Sequence, residues 1–522
     1  SDGSIKIKKG TTGVTLVLNG ISLTSQSTAP IACNKSSEVN IVVVSGTVNT
    51  LTDNALNNDE SYPDNENAEN AVIKCKDGSK VTIDGSGTLN ITANGKNGIK
   101  SGATTEEEGE ASLTIRNVTL NITASVNDAI NAEQLLNIES GNLNISAADD
   151  AIHCDLEMNV GASGAVGPVI KIATCYEGLE AATLNIFSGN ISILSSDDCL
   201  NAANSDLSNY SFSMNISGGT IVAYSSSGDG FDSNGSMTIS GGTVIVWTAN
   251  TADNEPLDAD GTITVSGGTV LAAGGSAGMG MNLNASQAYV IYGASANMGG
   301  GRPGGMRPGG QGGNFGPQRP GNQDNENDGQ IGFPDGQQPG NFDESQQPPQ
   351  AELSGNFIQS EQSGSFIQIT KDSEIVIKDE SGNVLLSSTA FCNASYVFFS
   401  SSELSVANNY TLYSDNAEVA TSAAQSGSTS GAGGNLPANP GNGQRPDQPD
   451  FPSLPGNNAT DTPSSGNEDT VSGDGNNNSS GTGKTTDSNS VDGYLITVIA
   501  LASVSVIAIL AVVICCRKKS AK

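Results

Sequence analysis

The stretch Leu135-Leu-Asn-Ile-Glu-Ser-Gly-Asn-Leu-Asn-Ile-Ser146 decides the fold, because it carries two short runs of alternating apolar and polar residues around a small turn. Alternation with a period of two is typical of β-strands with one buried face. The turns Ser217-Gly-Gly-Thr, Ser240-Gly-Gly-Thr and Ser266-Gly-Gly-Thr recur between similar runs. A repeat of roughly 20–30 residues made of strands predicts a solenoid, in which each unit is one coil of a parallel β-helix.

The composition predicts an all-β chain, since Gly is abundant at 64 residues and Ser and Asn accompany the apolar runs. We expect a single-stranded, right-handed parallel β-helix over residues 1–299 and a small C-terminal β unit over 351–423 that caps its end. The Gly/Pro/Gln-rich segment 300–350 and the Ser/Gly/Asn/Pro-rich stalk 424–493 are predicted to be disordered linkers.

An uncharged run from Tyr494 to Cys516 predicts one transmembrane helix, because it is long enough to cross a bilayer of ~30 Å. Arg517, Lys518 and Lys519 follow it and place the tail 517–522 in the cytoplasm. We therefore expect a single-pass protein of the cell membrane with an extracellular N-terminal ectodomain. Such an ectodomain needs an export signal, and the expected signal peptide is missing from this sequence.

Export permits disulfides, and the chain has 8 cysteines. Cys33 and Cys75 hold the same position relative to the following strand residues Ile41 and Ile83. This register predicts that they stack on neighbouring coils and form a bridge, while the pairing of the other cysteines stays open. Asn-x-Ser/Thr sequons are frequent, and they arise either from glycosylation in a eukaryotic host or from the Asn-Ile-Ser strand pattern itself.

Acidic residues recur in the turn before an inward-facing apolar residue, and adjacent coils would bring them ~5 Å apart. Between Ile172 and Gly300 there is no Lys or Arg to neutralise them, in a chain whose formal net charge is -33. Ca²⁺ is the expected counter-ion, bound by roughly six to eight oxygen ligands. The alternative is that these acids are solvated turn residues. The predicted metal ligands are Asp128, Asp149, Asp150, Glu177, Asp197, Asp198, Asp229 and Asp232.

The same charge pattern excludes some functions. Nucleic acid is not an expected partner, because few basic residues are present to neutralise phosphates. A polysaccharide lyase needs a basic residue, for which Lys100 and Lys171 are candidates, and a glycoside hydrolase would use paired carboxylates such as Asp149-Asp150. Tandem acids in a turn are more typical of structure or metal binding, so we expect no catalytic residues.

Four motifs resemble a known family, the carbohydrate-binding-domain-containing proteins of gut and cellulolytic bacteria. They are Val44-Ser-Gly-Thr-Val-Asn-Thr-Leu-Thr-Asp53, Asn97-Gly-Ile, Cys175-Tyr-Glu-Gly-Leu-Glu180 and Ser196-Asp-Asp-Cys199. The resemblance covers about residues 5–420 and implies a pectate-lyase-like parallel β-helix that binds calcium and plant-type polysaccharides, with no established catalysis. It also implies that Asp150, Glu177, Asp198 and Asp229 are the best ligands. The sequence departs from the family at Cys199, where Gly is typical, and in its membrane anchor.

Together these observations predict a calcium-stabilised, cell-surface carbohydrate-binding protein whose partner is a polyuronate or cellulose-like polysaccharide. The predicted carbohydrate-binding residues are Tyr176, Tyr224, Trp247, Lys100 and Lys171. Two alternatives stay open. One is a pectate-lyase-like enzyme with Lys100 or Lys171 as its base, and the other is a surface adhesin that binds no glycan.

Overall fold

A computed structural model describes residues 3–249, 254–275, 282–293 and 367–429, which are all-β and contain no helix. They lie in one compact unit, Ser1–Ala432, whereas a second unit, Gly433–Lys522, falls outside them. The predicted transmembrane helix 494–516, most of the stalk and the segment 300–350 also lie outside the described residues. No helix suited to crossing a bilayer is found in the ranges that the structure describes.

The strands form one coiled series followed by a smaller group. The series comprises β1 (Ile5–Ile7), β2 (Val14–Leu18), β3 (Ser22–Thr24), β4 (Ile31–Cys33), β5 (Glu38–Val43), β6 (Val48–Thr52), β7 (Ala71–Cys75), β8 (Lys80–Asp84), β9 (Thr88–Ala93), β10 (Asn97–Ser101), β11 (Ser112–Ile115), β12 (Thr119–Ala124), β13 (Ile130–Ala132), β14 (Leu135–Ile138), β15 (Asn142–Ala147), β16 (Ile152–Val160), β17 (Val169–Thr174), β18 (Leu179–Ile186), β19 (Asn190–Ser195), β20 (Leu200–Ala202), β21 (Ser213–Ile216), β22 (Thr220–Ser225), β23 (Phe231–Ser233), β24 (Ser236–Ile239), β25 (Thr243–Thr248), β26 (Ile263–Val265), β27 (Thr269–Gly274) and β28 (Leu283–Gly293). The smaller group comprises β29 (Glu374–Asp379), β30 (Val384–Thr389), β31 (Tyr396–Ser400), β32 (Asn409–Ser414), β33 (Ala417–Ala423) and β34 (Gln425–Thr429).

Strands of successive coils pair in parallel and in register, forming three ladders. The first ladder runs through β1, β4, β7, β10, β13, β16, β18, β20 and β23. The second begins at β2 and β5, and the third at β3 and β6. β16 and β18 are long enough to serve both the first and the second ladder. This pairing is consistent with the predicted β-helix, while its right-handed sense stays a prediction.

Stacked aliphatic residues fill the interior of the coils. Along the first ladder, Ile31, Ile73, Ile99, Ile130 and Ile152 occupy the same inward position and are fully buried. They belong to one continuous core that runs through the series. β-Branched side chains suit this position because they pack well on the pleated surface of a sheet.

Asparagine side chains stack on the outside of the second and third ladders. Asn121 Nδ2 donates to Asn90 Oδ1 at 2.8 Å, and Asn144 Nδ2 donates to Asn121 Oδ1 at 2.8 Å. In-register pairing makes this chain of amide bonds possible, because identical side chains then lie one strand spacing apart. The outward asparagines therefore join neighbouring coils.

The smaller group of strands closes the C-terminal end of the series. β31 pairs antiparallel with both β27 and β28, and β34 pairs antiparallel with β28. The other strands form a four-stranded sheet in the order β30-β29-β32-β33. A second core, which includes Trp247, Tyr292, Ile375 and Phe399, fills the space between this sheet and the last coils.

The predicted disulfide is wrong, although the register on which it was based is correct. Cys33 and Cys75 are paired residues of β4 and β7, yet the described cysteines are all free and buried. In-register parallel neighbours hold their Cβ atoms near the sheet spacing of ~4.8 Å, whereas a disulfide needs about 3.5–4.5 Å. The two thiols therefore pack as small apolar groups.

Removal of one inward side chain should destabilise the series strongly. We expect Ile130→Ala to lower the free energy of unfolding by about 2–5 kcal/mol, because it leaves a cavity between Ile99 and Ile152. The exposed Thr123→Ala on β12 is the control, for which we expect a change within about 0.5 kcal/mol. Urea unfolding followed by circular dichroism measures both, and equal losses would contradict this packing.

Candidate functional site

In each coil, a polar residue lies two positions before the inward-facing residue of the first-ladder strand, as Asp128 lies before Ile130. We call this set the acid column, and its members are Asn97, Asp128, Asp150, Glu177, Asp198, Asp229 and Glu255. Backbone hydrogen bonds connect the members of the acid column from Asn97 to Glu255. In each bond, the carbonyl oxygen of one acid accepts the N–H of a residue on the preceding coil, namely the residue directly after that coil's member of the column. The N–H of Gly178, for example, donates to Asp198 O at 2.9 Å. The predicted alignment of these acids on neighbouring coils is therefore present.

The carboxylates of the column also bind the backbone of the next coil. Asp128 Oδ1 accepts the N–H of Asp150 at 3.2 Å, and Asp150 Oδ1 accepts the N–H of Glu177 at 3.3 Å. Asp198 Oδ1 accepts the N–H of Asp229 at 2.6 Å. Such bonds stabilise the turns, so the acids serve the fold as well as any bound ion.

A second set of polar residues lies beside the acid column, three residues further along the chain in each coil. This partner column consists of Lys100, Asn131, His153, Glu180, Asn201, Asp232 and Asp258. The two columns touch: Asn131 Nδ2 donates to Asp128 Oδ2 at 2.7 Å, and His153 Nδ1 lies 3.3 Å from Asp150 Oδ2. Together they form a double row of charged and amide groups along one face.

Burial and mutual repulsion hold protons on these acids near neutral pH. Burial is the largest cause in each case, and it raises the pKa of Asp150 to about 7 and that of Glu177 to about 9. The pKa of Asp198 rises to about 8, with repulsion from Asp232 and Asp197 as the next causes. Asp232 reaches about 7 through burial and the charges of Asp229 and Asp258. A proton or a cation is therefore needed to stabilise these groups.

His153 supplies a positive charge in the middle of the two columns. Burial alone would lower the pKa of its imidazole, but bonds to Asp150, Asp155 and Glu180 outweigh burial and raise it. Nδ1 lies 2.5 Å from Glu180 Oε2, and Nε2 lies 2.9 Å from Asp155 Oδ1. The imidazolium thus acts as an internal counter-ion for this coil.

Potential metal ligands meet in three groups, within each of which the ligand atoms lie within 4.8 Å of one another. The groups are Asp128 with Asp149 and Asp150, Asp150 with His153 and Glu180, and Asp229 with Asp232 and Asp258. Five of the eight predicted ligands are thus brought together. Glu177, Asp197 and Asp198 belong to no such group of three among the residues that the structure describes.

The donor chemistry of two groups fits calcium. Asp229, Asp232 and Asp258 offer carboxylate oxygens in a part of the chain that has no Lys or Arg. Next to Asp128, the buried Oδ1 of Asn131 has no hydrogen-bond donor among the described residues, and an amide oxygen is a usual calcium ligand. The group with His153 fits less well, because calcium prefers oxygen and the imidazole already binds the carboxylates.

The predicted carbohydrate-binding residues do not form one site. Trp247 is 0% exposed, and Tyr224 stacks on Phe391 at 5.8 Å, so the C-terminal strands cover both aromatic rings. Lys171 is exposed on the third ladder. Of this set, Tyr176 and Lys100 remain on the face of the two columns.

Tyr176 and Lys100 are both already engaged on that face. The hydroxyl of half-buried Tyr176 bonds to Asp197, which raises its pKa. Lys100 Nζ lies 3.3 Å from Glu133 Oε1. A sugar at this face would therefore meet a tyrosine and an ion-paired lysine rather than a broad aromatic platform.

Of the partner column, only Asp232 and Lys100 were predicted as site residues from the sequence, whereas Glu180, His153 and Asp258 were not. A signal for this column was present, because a polar residue follows each acid at the third position, as in Asp150-x-x-His153 and Glu255-x-x-Asp258. An i, i+3 acid pattern that repeats once per coil predicts two adjacent columns rather than one.

Comparisons with known proteins agree with the resemblance noted from the motifs. A family model described as "Carbohydrate-binding domain-containing protein" matches residues 1–278. A protein of the same description from Acetivibrio thermocellus is 36% identical over 100 residues, which are 19% of this chain and 34% of the relative. The chain thus spans about a third of the length of this curated relative. No solved structure matches the chain.

The raised pKa values give the metal-free protein an unusual pH dependence. From the ordinary values of 3.8 and 4.5 up to about 7–9, the folded state holds protons that the unfolded state has released. The stability that these bound protons contribute is fully present below the ordinary pKa of the unfolded state. It is lost as the pH rises through the raised pKa of the folded state. We expect stability in chelator to fall from pH 5 to pH 8, by ~1.4 kcal/mol per pH unit for each such proton.

Thermal unfolding at both pH values measures this effect. Asp198→Asn keeps the acceptor for the Asp229 N–H but cannot ionise, so it should reduce the slope. Asp206→Asn, at an exposed residue, is the matched control and should leave the slope unchanged. Stability that increases from pH 5 to pH 8 in the metal-free protein would overturn this electrostatic account.

Proposed function

Because the chain belongs to the family of carbohydrate-binding domain-containing proteins, whose model matches residues 1–278, we propose that it is a non-catalytic polysaccharide-binding protein of the cell surface. In this proposal, calcium stabilises a right-handed parallel β-helix. The glycan is a plant-type or acidic polysaccharide, such as a polyuronate or a cellulose-like chain. The family match is the observation that carries the proposal.

The charge of the two columns supports a calcium requirement. Asp229, Asp232 and Asp258 lie within reach of one ion, and no basic residue between Ile172 and Gly300 competes for them. Asp128, Asp149 and Asp150 offer a second oxygen-rich group beside Asn131. Glu177 and Asp198, both with raised pKa values, lie in the same acid column and would gain from cations bound nearby.

Calcium also offers a way for an acidic protein face to bind an acidic glycan. A carboxylate of a polyuronate repels the acid column directly, but an ion with six to eight oxygen ligands has room for ligands from both sides. Tyr176 lies on the same face, half-buried and bonded to Asp197. Its ring is the aromatic surface that we expect a bound sugar to contact.

Surface attachment is the remaining part of the proposal and depends on the sequence. The run 494–516 supplies the membrane anchor, and the polar segment that follows β34, up to residue 493, holds the folded part away from the bilayer. A cell-surface protein built this way would capture polysaccharide on the outside of the cell.

The lyase alternative has less support from the positions of the lysines. Lys100 is ion-paired with Glu133, and Lys171 is exposed on the third ladder, whereas the acids lie beside the first. A lyase would need a free base next to the calcium ligands. The non-glycan adhesin is the second alternative and predicts no polysaccharide binding.

Calcium should bind and stabilise the full chain. At a free concentration of 100 times Kd, we expect about 2.7 kcal/mol of stabilisation for one site, and a higher Tm. Asp232→Asn removes a ligand charge while it preserves shape, so calorimetry should show a weaker or missing site. Asp206→Asn, which lies at an exposed position, should bind calcium like the wild type. Equal titrations for all three proteins would exclude Asp232 as a ligand.

Polysaccharide binding is tested by retention in gels that contain polygalacturonate or a soluble cellulose derivative. We expect retention with calcium, its loss in EDTA, and no growth of absorbance from unsaturated uronate products. Absorbance growth that disappears in Lys100→Ala or Lys171→Ala would favour the lyase. Retention by none of the acidic or cellulosic polymers would favour the adhesin.

A further inference from the structure

A separate cavity of about 230 Å³ lies among the N-terminal coils. Its lining is polar and charged and consists of Lys35, Asp59, Ala68, Glu69, Asn70, Lys74, Lys76 and Asp77. None of these residues belongs to the acid column or the partner column. The volume is smaller than the roughly 300–1,000 Å³ of sites for drug-sized ligands, so it suits about one sugar ring.

The wall of the cavity is built by the long connection between β6 and β7 and is held in place by amide side chains. Asn70 adopts the left-handed backbone conformation with φ 59. Its Nδ2 donates to Asp59 Oδ1 at 2.7 Å, and its Oδ1 accepts the Asp59 N–H at 3.0 Å. Asn57 Nδ2 binds both Asp53 Oδ2 and Ala71 O at 2.9 Å. These hydrogen bonds fix the conformation of the connection that forms this wall.

The charges of the lining leave one cation unpaired. Lys35 Nζ lies 2.9 Å from Asp77 Oδ2, and Lys76 Nζ lies 2.8 Å from Glu69 Oε2. Lys74, which also lines the cavity, forms no ion pair or hydrogen bond with any residue that the structure describes. The cavity thus holds two internal ion pairs, the free ammonium group of Lys74, and the carboxylate of Asp59, which is hydrogen-bonded to Asn70.

The surroundings of Lys74 make this free ammonium unfavourable. Burial is the main cause that lowers its pKa, and the ammonium of Lys100 is the second. Lys100 is the in-register neighbour of Lys74 on β10, and its own charge is matched by Glu133. An anion that entered the cavity would favour the charged form of the partly buried Lys74, since a nearby opposite charge offsets the desolvation of the ammonium.

We propose that this cavity binds the carboxylate of one uronic acid residue, with Lys74 as the charged donor and Asn70, Asp59 and Glu69 beside the sugar hydroxyls. The inference rests on the proposed function and deepens it, because it names an acidic sugar and a site that needs no metal. Of the three ammonium groups in the lining, only that of Lys74 is not already ion-paired, which favours a ligand of one negative charge. A dianion such as phosphate would be repelled by Asp59, Glu69 and Asp77.

The test uses the full chain in EDTA and isothermal calorimetry with D-glucuronate, D-glucose and inorganic phosphate. We expect glucuronate to bind and glucose and phosphate to bind at least about tenfold more weakly, as a charge-assisted bond to one carboxylate requires. Lys74→Gln should weaken glucuronate by about tenfold or more. Lys80→Gln, at an exposed lysine of β8 that pairs with Glu110 outside the cavity, should bind like the wild type.

Other outcomes decide against the site. Absence of glucuronate binding by the wild type, equal affinity for glucose or phosphate, or an unchanged affinity in Lys74→Gln would each overturn the proposal. Lys74→Gln should have a Tm no lower than that of the wild type, because it removes an unpaired and partly buried charge, and this separates lost binding from lost folding. Calcium-dependent retention on polygalacturonate that survives Lys74→Gln, together with no glucuronate binding, would remove the cavity site and leave the proposed function standing.

Discussion

In-register parallel pairing is the constraint on which the rest of the structure depends. It places the same position of successive coils about 4.8 Å apart, so side chains that recur at one position become direct neighbours. Stacking stabilises the inward aliphatic residues, such as Ile99 and Ile130, and the outward amides, such as Asn121 and Asn144. In the acid column the same geometry is unfavourable, because it brings carboxylates of like charge close together.

The protein meets this electrostatic problem differently along its length. Near the N-terminus, lysines on the first ladder provide positive charge, and Lys100 is paired with Glu133. In the middle, the imidazolium of His153 lies among Asp150, Asp155 and Glu180. Towards the C-terminus, no Lys or Arg is present between Ile172 and Gly300, and protons or metal ions must balance the acids. This gradient of charge gives the two ends of one face different ligand chemistry.

The two ends suggest complementary ways of binding an acidic polysaccharide. The C-terminal acids would reach a glycan carboxylate through calcium, whereas the N-terminal cavity offers the ammonium of Lys74 directly. A polymer that follows the axis of the coils would meet both sites on the same molecule. Multivalent contact of this kind lets individually weak sugar contacts give strong retention.

Periodicity in the sequence was sufficient to predict the strands, the parallel coils and the alignment of acids such as Asp150 and Asp198, because each depends on local pattern and register. The burial of Trp247 was not predictable in the same way. It depends on Phe391, which follows more than a hundred residues later and covers the last coils. The Cys33–Cys75 bridge is absent although the register is correct, because the sheet spacing between in-register neighbours exceeds the Cβ separation of a disulfide. The side-chain contacts between the acid column and the partner column could not be predicted from the sequence, because they depend on the geometry of the turn before each strand.

The most direct test of the account is a crystal structure of the protein grown with calcium, with anomalous scattering used to locate the ions. The account predicts an ion bound by Asp229, Asp232 and Asp258, and a second bound by Asp128, Asp149 and Asp150 with the Asn131 amide oxygen. It predicts none at His153. A map with saturating calcium and no ion on either acid group would show that protons alone stabilise the column, and would contradict a calcium-bound acid column.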